Sequence, residues 1–331
     1  MNNEVSLTKE EKIALKKEKK SKRIWELDFF RGVLIIAMII DHVFCTLSKF
    51  GFINNFLKYD GDFPSWFIGL QSFSNTVWTS SFREYGRYLL MFLLFFISGC
   101  CSKFSKNNLS RGIKITLVGL GIFLVTWIMY SFGIDYIIVF GTISCFGVSM
   151  IIYAIFKKLI EKFVKNESAH KWIILGLAIV FILVGLYLGT YLDMSDPSGS
   201  RHMINYIGVD TEGKNMFANI DYINYLRPAK LANEELNISN FFPMVFGRYY
   251  YGDDWLGLFP SLGYFFLGAF VSEIVYTKEK LAKRINFDMK ANKITAPVNF
   301  FGYHSLVFYL GHMFVIYFIL MIPFLILGWH F

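Results

Sequence analysis

The first strongly apolar stretch of the chain reads Leu27-Asp28-Phe29-Phe30-Arg31-Gly32-Val33-Leu34-Ile35-Ile36-Ala37-Met38-Ile39-Ile40-Asp41-His42. It has the character of a membrane-spanning helix, yet it contains an arginine and a histidine. Ten residues separate Arg31 from His42, so eleven helical steps return to nearly the same face, about 16 Å further along the axis. Ionisable groups in a membrane are costly and usually face a cavity or a partner. The stretch therefore predicts a functional site inside a helical bundle.

The rest of the chain predicts the same environment. Hydrophobic residues make up 55% of the sequence, with 37 Phe and 19 Tyr. A membrane-spanning helix needs about 20 mostly apolar residues. Seven runs meet this need, at 24–47, 87–104, 112–132, 136–156, 172–192, 256–276 and 303–328. We predict an all-α, polytopic integral membrane protein of the cell membrane, with at least seven transmembrane helices.

Basic residues are concentrated on alternate connections between these runs. The tail at 1–23 and the loops at 103–114, 157–171 and 278–293 hold 23 of the 33 Lys and Arg residues. Under the positive-inside rule, these segments are cytosolic. We expect a cytosolic N-terminus, no cleavable signal peptide, and a basic tail that contacts anionic membrane lipid rather than nucleic acid.

The chain divides into a basic cytosolic tail, residues 1–23, and a membrane domain, residues 24–331. The long loop at 193–255 is rich in aromatic residues, which predicts a partly folded cap on the outer face. Gly185 and Gly189 on one helix predict close packing against another helix, or alternatively a homodimer seam. The four cysteines have no metal-like spacing and are expected to be buried thiols.

His42 and Arg31 are the best candidates for chemistry. The neighbouring Asp41 carboxylate is expected to fix the His42 imidazole tautomer and raise its basicity. Such an imidazole is either a general base for an acceptor hydroxyl or amine, or a nucleophile that carries an acyl group. The alternative is a histidine at a helix end that is satisfied by Asp41 or by lipid headgroups. Arg31 either forms an ion pair with Asp28, three residues earlier, or clamps phosphate groups such as those of coenzyme A.

The strings around these residues resemble the signatures of a known superfamily. An arginine, ten residues and a histidine resemble the motif of membrane acyltransferases, including the acyltransferase-3 family. The stretches 95–99, 111–112, 254–268 and 302–312 are more similar to the heparan-α-glucosaminide N-acetyltransferase family. The resemblance runs from about Arg23 to Phe324. The sequence departs from the pattern at Gly257, Ser261 and His304.

The resemblance implies transfer of an acyl group, usually acetyl from acetyl-CoA, to a sugar or glycan acceptor, with no metal ion. Carried over by position, Arg31 and His42 are the essential pair. Arg111 and Lys114 are candidates to hold the coenzyme A phosphates, and positive-inside placement explains them equally. Three residues are candidate contacts of the acceptor, namely Asp254, His304 and His312.

Other functions also fit a membrane protein with polar groups in its spans. A transporter or lipid flippase would move a substrate without thioester chemistry, and a seven-helix sensor would bind a ligand without turnover. A third alternative is a zinc site formed by His42, His312 and Asp41. The order of the motifs along the chain favours the acyltransferase.

Overall fold

The computed structural model describes residues 24–49, 65–133, 136–188, 229–230, 236–252, 254–277 and 295–326. The basic tail and most of the predicted cap lie outside these residues. The helices are α1 Trp25–Lys49, α2 Ser65–Trp78, α3 Ser81–Ser102, α4 Asn108–Ser131, α5 Thr142–Phe163, α6 Glu167–Leu186, α7 Ile238–Phe246, α8 Leu258–Val275, α9 Ala296–Tyr303 and α10 Ser305–Ile326. Two short strands, β1 Ala229–Lys230 and β2 Tyr249–Tyr250, pair in parallel.

Seven of these helices are long and apolar enough to cross a membrane, which confirms the predicted fold class and number of spans. They are α1, α3, α4, α5, α6, α8 and α10. We call the end of the bundle at which α1 begins the N-terminal face, and the other end the opposite face. That the N-terminal face is cytosolic stays a prediction of the positive-inside rule.

The start of α5 differs from the prediction. The fourth apolar run begins at residue 136, but the helix begins at Thr142. Residues 136–141 are not helical, and the last two of them pair with the segment that precedes α8. Gly141 forms an antiparallel bridge with Trp255, and the Leu256 amide donates to the Phe140 carbonyl at 3.3 Å. This pairing brings the residues before α8 against the start of α5.

The helix α1 crosses α9 and α10 at two glycines. A Cβ atom on Gly32 would overlap the Val298 carbonyl, and one on Gly302 would overlap the Asp28 carbonyl. Val298 lies four residues before Gly302, and Asp28 lies four residues before Gly32. The two glycines therefore lie at the same height, and α1 and α9 run parallel. α9 continues into α10 across His304, because the Phe308 amide still donates to the His304 carbonyl. The crossing fixes the register of α10 against α1.

A second close crossing lies between α3 and α8. A Cβ atom on Gly99 would overlap the Phe265 carbonyl, and one on Gly268 would overlap the Phe96 carbonyl. Beside this crossing lies a core of fully buried side chains, which include Phe95, Tyr153, Phe265 and Phe266. The core holds α3, α5 and α8 together and so fixes the frame on which the site is built.

Gly185 also packs within the chain. A Cβ atom there would lie 2.6 Å from the Cα atom of Pro260, at the start of α8. This face of α6 is therefore covered by α8 rather than free for a second copy, and the helix-packing interpretation accounts for Gly185. Gly189 lies outside the described residues.

Candidate active site

Two histidines meet in the interior of the bundle. The ring centroids of His42 on α1 and His312 on α10 are 4.7 Å apart, and the rings lie at 78° to each other. His42 is ten residues beyond Gly32, and His312 is ten residues beyond Gly302. Because the two helices run parallel from that crossing, equal spacing brings the imidazoles to the same height, about 15 Å towards the opposite face.

The hydrogen bonds of both rings assign the same tautomer. The Nδ1 atom of His42 is 2.8 Å from the Met38 carbonyl oxygen, and that of His312 is 2.7 Å from the Tyr309 carbonyl oxygen. A carbonyl oxygen can only accept, so each Nδ1 carries a hydrogen, and when the ring is neutral its Nε2 has a lone pair. Backbone carbonyls of the preceding turn therefore set both tautomers.

The Nε2 atom of His312 is buried and has no hydrogen-bond partner among the described residues. The side chain is 8% exposed. A buried acceptor that lacks a donor is costly and is expected to be satisfied by water or by a ligand. His312 therefore offers a hydrogen-bond acceptor to a bound molecule, directly beside His42.

Asp254 lies at the opposite face, beside the start of α5. Its carboxylate accepts from the backbone amide of Thr142 at 3.2 Å and from the Thr142 hydroxyl at 3.0 Å. It thereby caps the first turn of α5, where Gly141 has no side chain to do so. The local chain makes this contact because Asp254 adopts a left-handed backbone conformation, φ 48°, after the β2 strand.

The electrostatics of Asp254 link it to the histidines. The surrounding protein desolvates its carboxyl group and raises the pKa above that of a free aspartate. The charge of His42, the two hydrogen bonds from Thr142 and the charge of Arg87 lower this pKa. The residue nevertheless has exposed surface, so a molecule at the opposite face can reach its carboxyl group.

Tyr309 is a site residue that the sequence analysis missed. It lies one turn before His312, and its hydroxyl group is beside the side chains of Thr142 and Asp254. Tyr309 also supplies the carbonyl that orients the His312 ring. It carries no charge at neutral pH and lies in an apolar run, so its position within the 302–312 motif was the one available signal.

Asp41 does not hold His42 as predicted. Its two carboxylate oxygens accept from Arg83, at 2.6 Å from Nε and 2.8 Å from Nη2, while the His42 Nδ1 atom bonds to Met38. Adjacent residues on a helix project about 100° apart and do not face each other. The zinc alternative also loses its third ligand, because the Asp41 carboxylate is directed at Arg83.

Arg31 lies towards the N-terminal face on the same side of α1. Its Nη1 atom is 3.1 Å from an Asp28 carboxylate oxygen, which is the ion pair that the sequence offered as one of two alternatives. Its guanidinium also lies near the thiol of Cys101 on α3, and Arg111 acts on the same thiol through its charge. Arg31 is thus half-buried between α1 and α3, and Arg111 is exposed nearby.

The structure does not bring all the predicted residues together. Lys114 is exposed on α4, one turn beyond Arg111. His304 lies at the junction of α9 and α10. The centroid of its ring is 4.8 Å from that of Phe300 and 4.5 Å from that of Tyr303. It is eight residues before His312, about 12 Å along the helix. His304 is therefore separated from His312 and Asp254, the other two predicted acceptor contacts.

Comparison with known proteins identifies the family of the chain. The family model described as heparan-alpha-glucosaminide N-acetyltransferase, catalytic, matches residues 23–314. With seven apolar spans around paired histidines, this match defines a multi-pass membrane acyltransferase. The matched region covers most of the chain, and the chain belongs to the heparan-alpha-glucosaminide N-acetyltransferase catalytic family. No curated protein and no solved structure matches it.

Proposed function

We propose that the protein transfers an acetyl group from acetyl-CoA, bound at the N-terminal face in the cytosol, to a sugar or glycan acceptor at the opposite face. The observation that carries this proposal is the contact between the His42 and His312 rings, with each Nδ1 bonded to a backbone carbonyl and the His312 Nε2 atom buried. It lies between a basic group at one face and an exposed aspartate at the other. The family supports acyl transfer as the reaction class.

The acceptor half of the site supplies general-base chemistry. His42 Nε2 takes the proton of the acceptor hydroxyl or amine as that oxygen or nitrogen bonds to the acyl carbon. The C–S bond of the thioester breaks, coenzyme A leaves as a thiolate, and the His42 imidazolium then returns the proton to it. His312 Nε2 accepts a second hydrogen bond from the acceptor and so orients it. Asp254, held by Thr142 at the opening, binds a further hydroxyl group of the sugar.

The donor half lies about three helical turns away, at the N-terminal face. Arg31 carries a charge in a half-buried position, where a guanidinium binds phosphate oxygens more strongly than in water. Arg111 and Lys114 add exposed positive charge on α4. The ~16 Å between Arg31 and His42 separates the phosphates of the donor from its thioester end, as an extended coenzyme A requires.

The proposal is tested with purified protein in liposomes. Labelled acetyl-CoA and a panel of sugars, from free hexosamines to lipid-linked glycans, are supplied on separate sides of the membrane. We expect labelled product and free coenzyme A in equal amounts. Movement of a solute across the membrane without any thioester cleavage, over the whole panel, would contradict the proposal and indicate a transporter.

Replacing Arg31 with glutamine is expected to raise the KM for acetyl-CoA by about 10- to 100-fold, since a charge-assisted hydrogen bond contributes about 1.5–3 kcal/mol. The kcat at saturating donor should change little, because Arg31 is far from the reacting atoms. Initial rates over a range of acetyl-CoA concentrations give both constants. Lys162→Gln, an equal charge loss at the exposed end of α5, is the matched control. If the KM for acetyl-CoA were equal in Arg31→Gln and the control, Arg31 would not be part of the donor site.

Replacing Asp254 with asparagine separates its two roles. Asparagine keeps a side-chain oxygen that can cap α5, so the melting temperature should stay within a few degrees of wild type. Loss of the negative charge beside His42 is expected to raise the acceptor KM about 10-fold, since a hydrogen bond to a charged group contributes roughly 1.5 kcal/mol or more. Acceptor titration at saturating acetyl-CoA measures this. An unchanged acceptor KM would leave Asp254 as a helix cap alone.

A further inference from the structure

Three elements meet in one ion pair at the opposite face. Asp41 lies near the end of α1, Arg83 in the first turn of α3, and Trp78 is the last residue of α2. The Arg83 guanidinium donates two hydrogen bonds to Asp41, and its Cζ atom lies 3.4 Å from the centroid of the Trp78 ring. We call these three residues the Arg83 clasp.

The position of Arg83 is not explained by the stability of α3. A cation in the first turn of a helix is disfavoured by the positive end of the helix dipole. The Arg83 amide is already capped by the Ser80 hydroxyl at 3.2 Å, so the side chain is not needed there. Asp41 compensates the charge of the guanidinium, and the Arg83 and Asp41 side chains are only 10% and 22% exposed.

The geometry makes the clasp stiff. A bidentate pair between arginine and a carboxylate fixes direction as well as distance, and stacking on an indole removes most of the remaining freedom of the guanidinium. Trp78 is itself 8% exposed, so the platform is anchored in the protein. Asp41 is thus tied to two other helices at the residue directly before His42.

We propose that Arg83 is a positioning residue for His42, acting through Asp41. α1 is pinned at Gly32, where it crosses α9 and α10, and His42 lies about 15 Å beyond that point. A small change in the angle of α1 at the crossing would shift the imidazole appreciably. The clasp fixes the far end of α1 and holds the His42 ring beside that of His312. This inference rests on the proposed role of His42 as the base.

The test compares Arg83→Gln, Asp41→Asn and the double variant in liposomes. Each single change is expected to lower kcat about 10- to 100-fold, the loss that follows from misplacing a reacting group by about 1 Å. The double variant should be no worse than the poorer single one, because both changes break the same contact. The KM for acetyl-CoA should stay unchanged, and so should the pH dependence of kcat, since the Met38 carbonyl sets the tautomer.

Three results would overturn the proposal. The first is an Arg83→Gln protein with wild-type kcat. The second is a shift of the pH profile in Asp41→Asn alone, which would show that the carboxylate acts directly on the imidazole. The third is a raised acceptor KM in Arg83→Gln that Asp41→Asn does not reproduce, which would make Arg83 an acceptor contact.

Hydrogen–deuterium exchange gives a readout that does not depend on turnover. Amides of residues 38–49 are expected to exchange about 10-fold faster in Arg83→Gln than in wild type, and at the wild-type rate in His42→Gln. Lys103→Gln is the matched control, because it breaks the 2.7 Å Lys103–Glu273 pair at the N-terminal face. Unchanged exchange in Arg83→Gln would refute the clasp even if the protein transferred no acyl group. Absence of transferase activity in the wild-type protein would refute only the proposed function.

Discussion

His42→Gln is expected to lower kcat for acetyl transfer by about 10²- to 10⁴-fold, the range that a general base supplies. Glutamine is close to histidine in size and can still form hydrogen bonds, but it cannot take a proton from the acceptor. The KM for acetyl-CoA should remain within about twofold of wild type, because Arg31 lies some 16 Å away along α1. Initial rates in liposomes at saturating acetyl-CoA and acceptor measure the loss.

Two further histidine variants show whether the effect is specific. His312→Gln should mainly raise the acceptor KM, because it disturbs the hydrogen bond that orients the acceptor. The kcat should change less, because the base at His42 is intact. His170→Gln is the control, since His170 lies in the first turns of α6 at the N-terminal face, where its Nε2 atom bonds to the Val164 carbonyl at 2.7 Å. A His42→Gln protein that kept more than a tenth of the wild-type kcat would rule out His42 as the base.

Local spacing predicted those parts of the site that lie on one helix. The three-residue interval between Asp28 and Arg31 predicted an ion pair, and the structure contains it. The ten-residue interval between Arg31 and His42 predicted one helix face, and both side chains lie against other helices rather than outside the bundle. The seven spans followed from the length of the apolar runs alone. Each of these depends on geometry that a single helix fixes.

Contacts between distant segments were beyond the reach of the sequence. Asp41 was assigned to His42 because the two are adjacent, yet its partner Arg83 is 42 residues away. Likewise, His304 and His312 belong to one motif, but the helix that carries them separates their side chains by two turns. The partner of Asp254 proved to be Thr142 at the start of α5, which depends on the pairing of Gly141 with Trp255. Tertiary packing decides all three contacts.

The glycine crossing explains why the two histidines meet. Nothing in the composition of α10 distinguishes the face that carries His312, because almost every residue of that helix is apolar. What selects the face is the absence of a side chain at Gly32 and Gly302, where α1 and α9 touch backbone to backbone. The alignment of His42 with His312 is therefore set by the two glycines, each ten residues earlier in the chain.

Gly302→Ala is expected to reduce both stability and activity. Alanine in place of glycine favours a helix by about 1 kcal/mol, but forcing a methyl group into a closely packed contact costs about 1–3 kcal/mol. The obstacle here is the Asp28 carbonyl, which is backbone and cannot rotate away, so the loss should outweigh the gain. We expect a lower melting temperature in detergent and, since His312 would move away from His42, a kcat reduced about 100-fold.

The next helix, α10, supplies the matched control. A Cβ atom at Gly311 would meet no other atom within 4 Å, so Gly311→Ala adds the same methyl group to α10 without displacing α1. It should keep wild-type kcat and a melting temperature equal to or above that of wild type, because only the gain in helix propensity remains. If Gly302→Ala behaved in the same way as Gly311→Ala, the crossing would not set the distance between the imidazoles, and their pairing would need another cause.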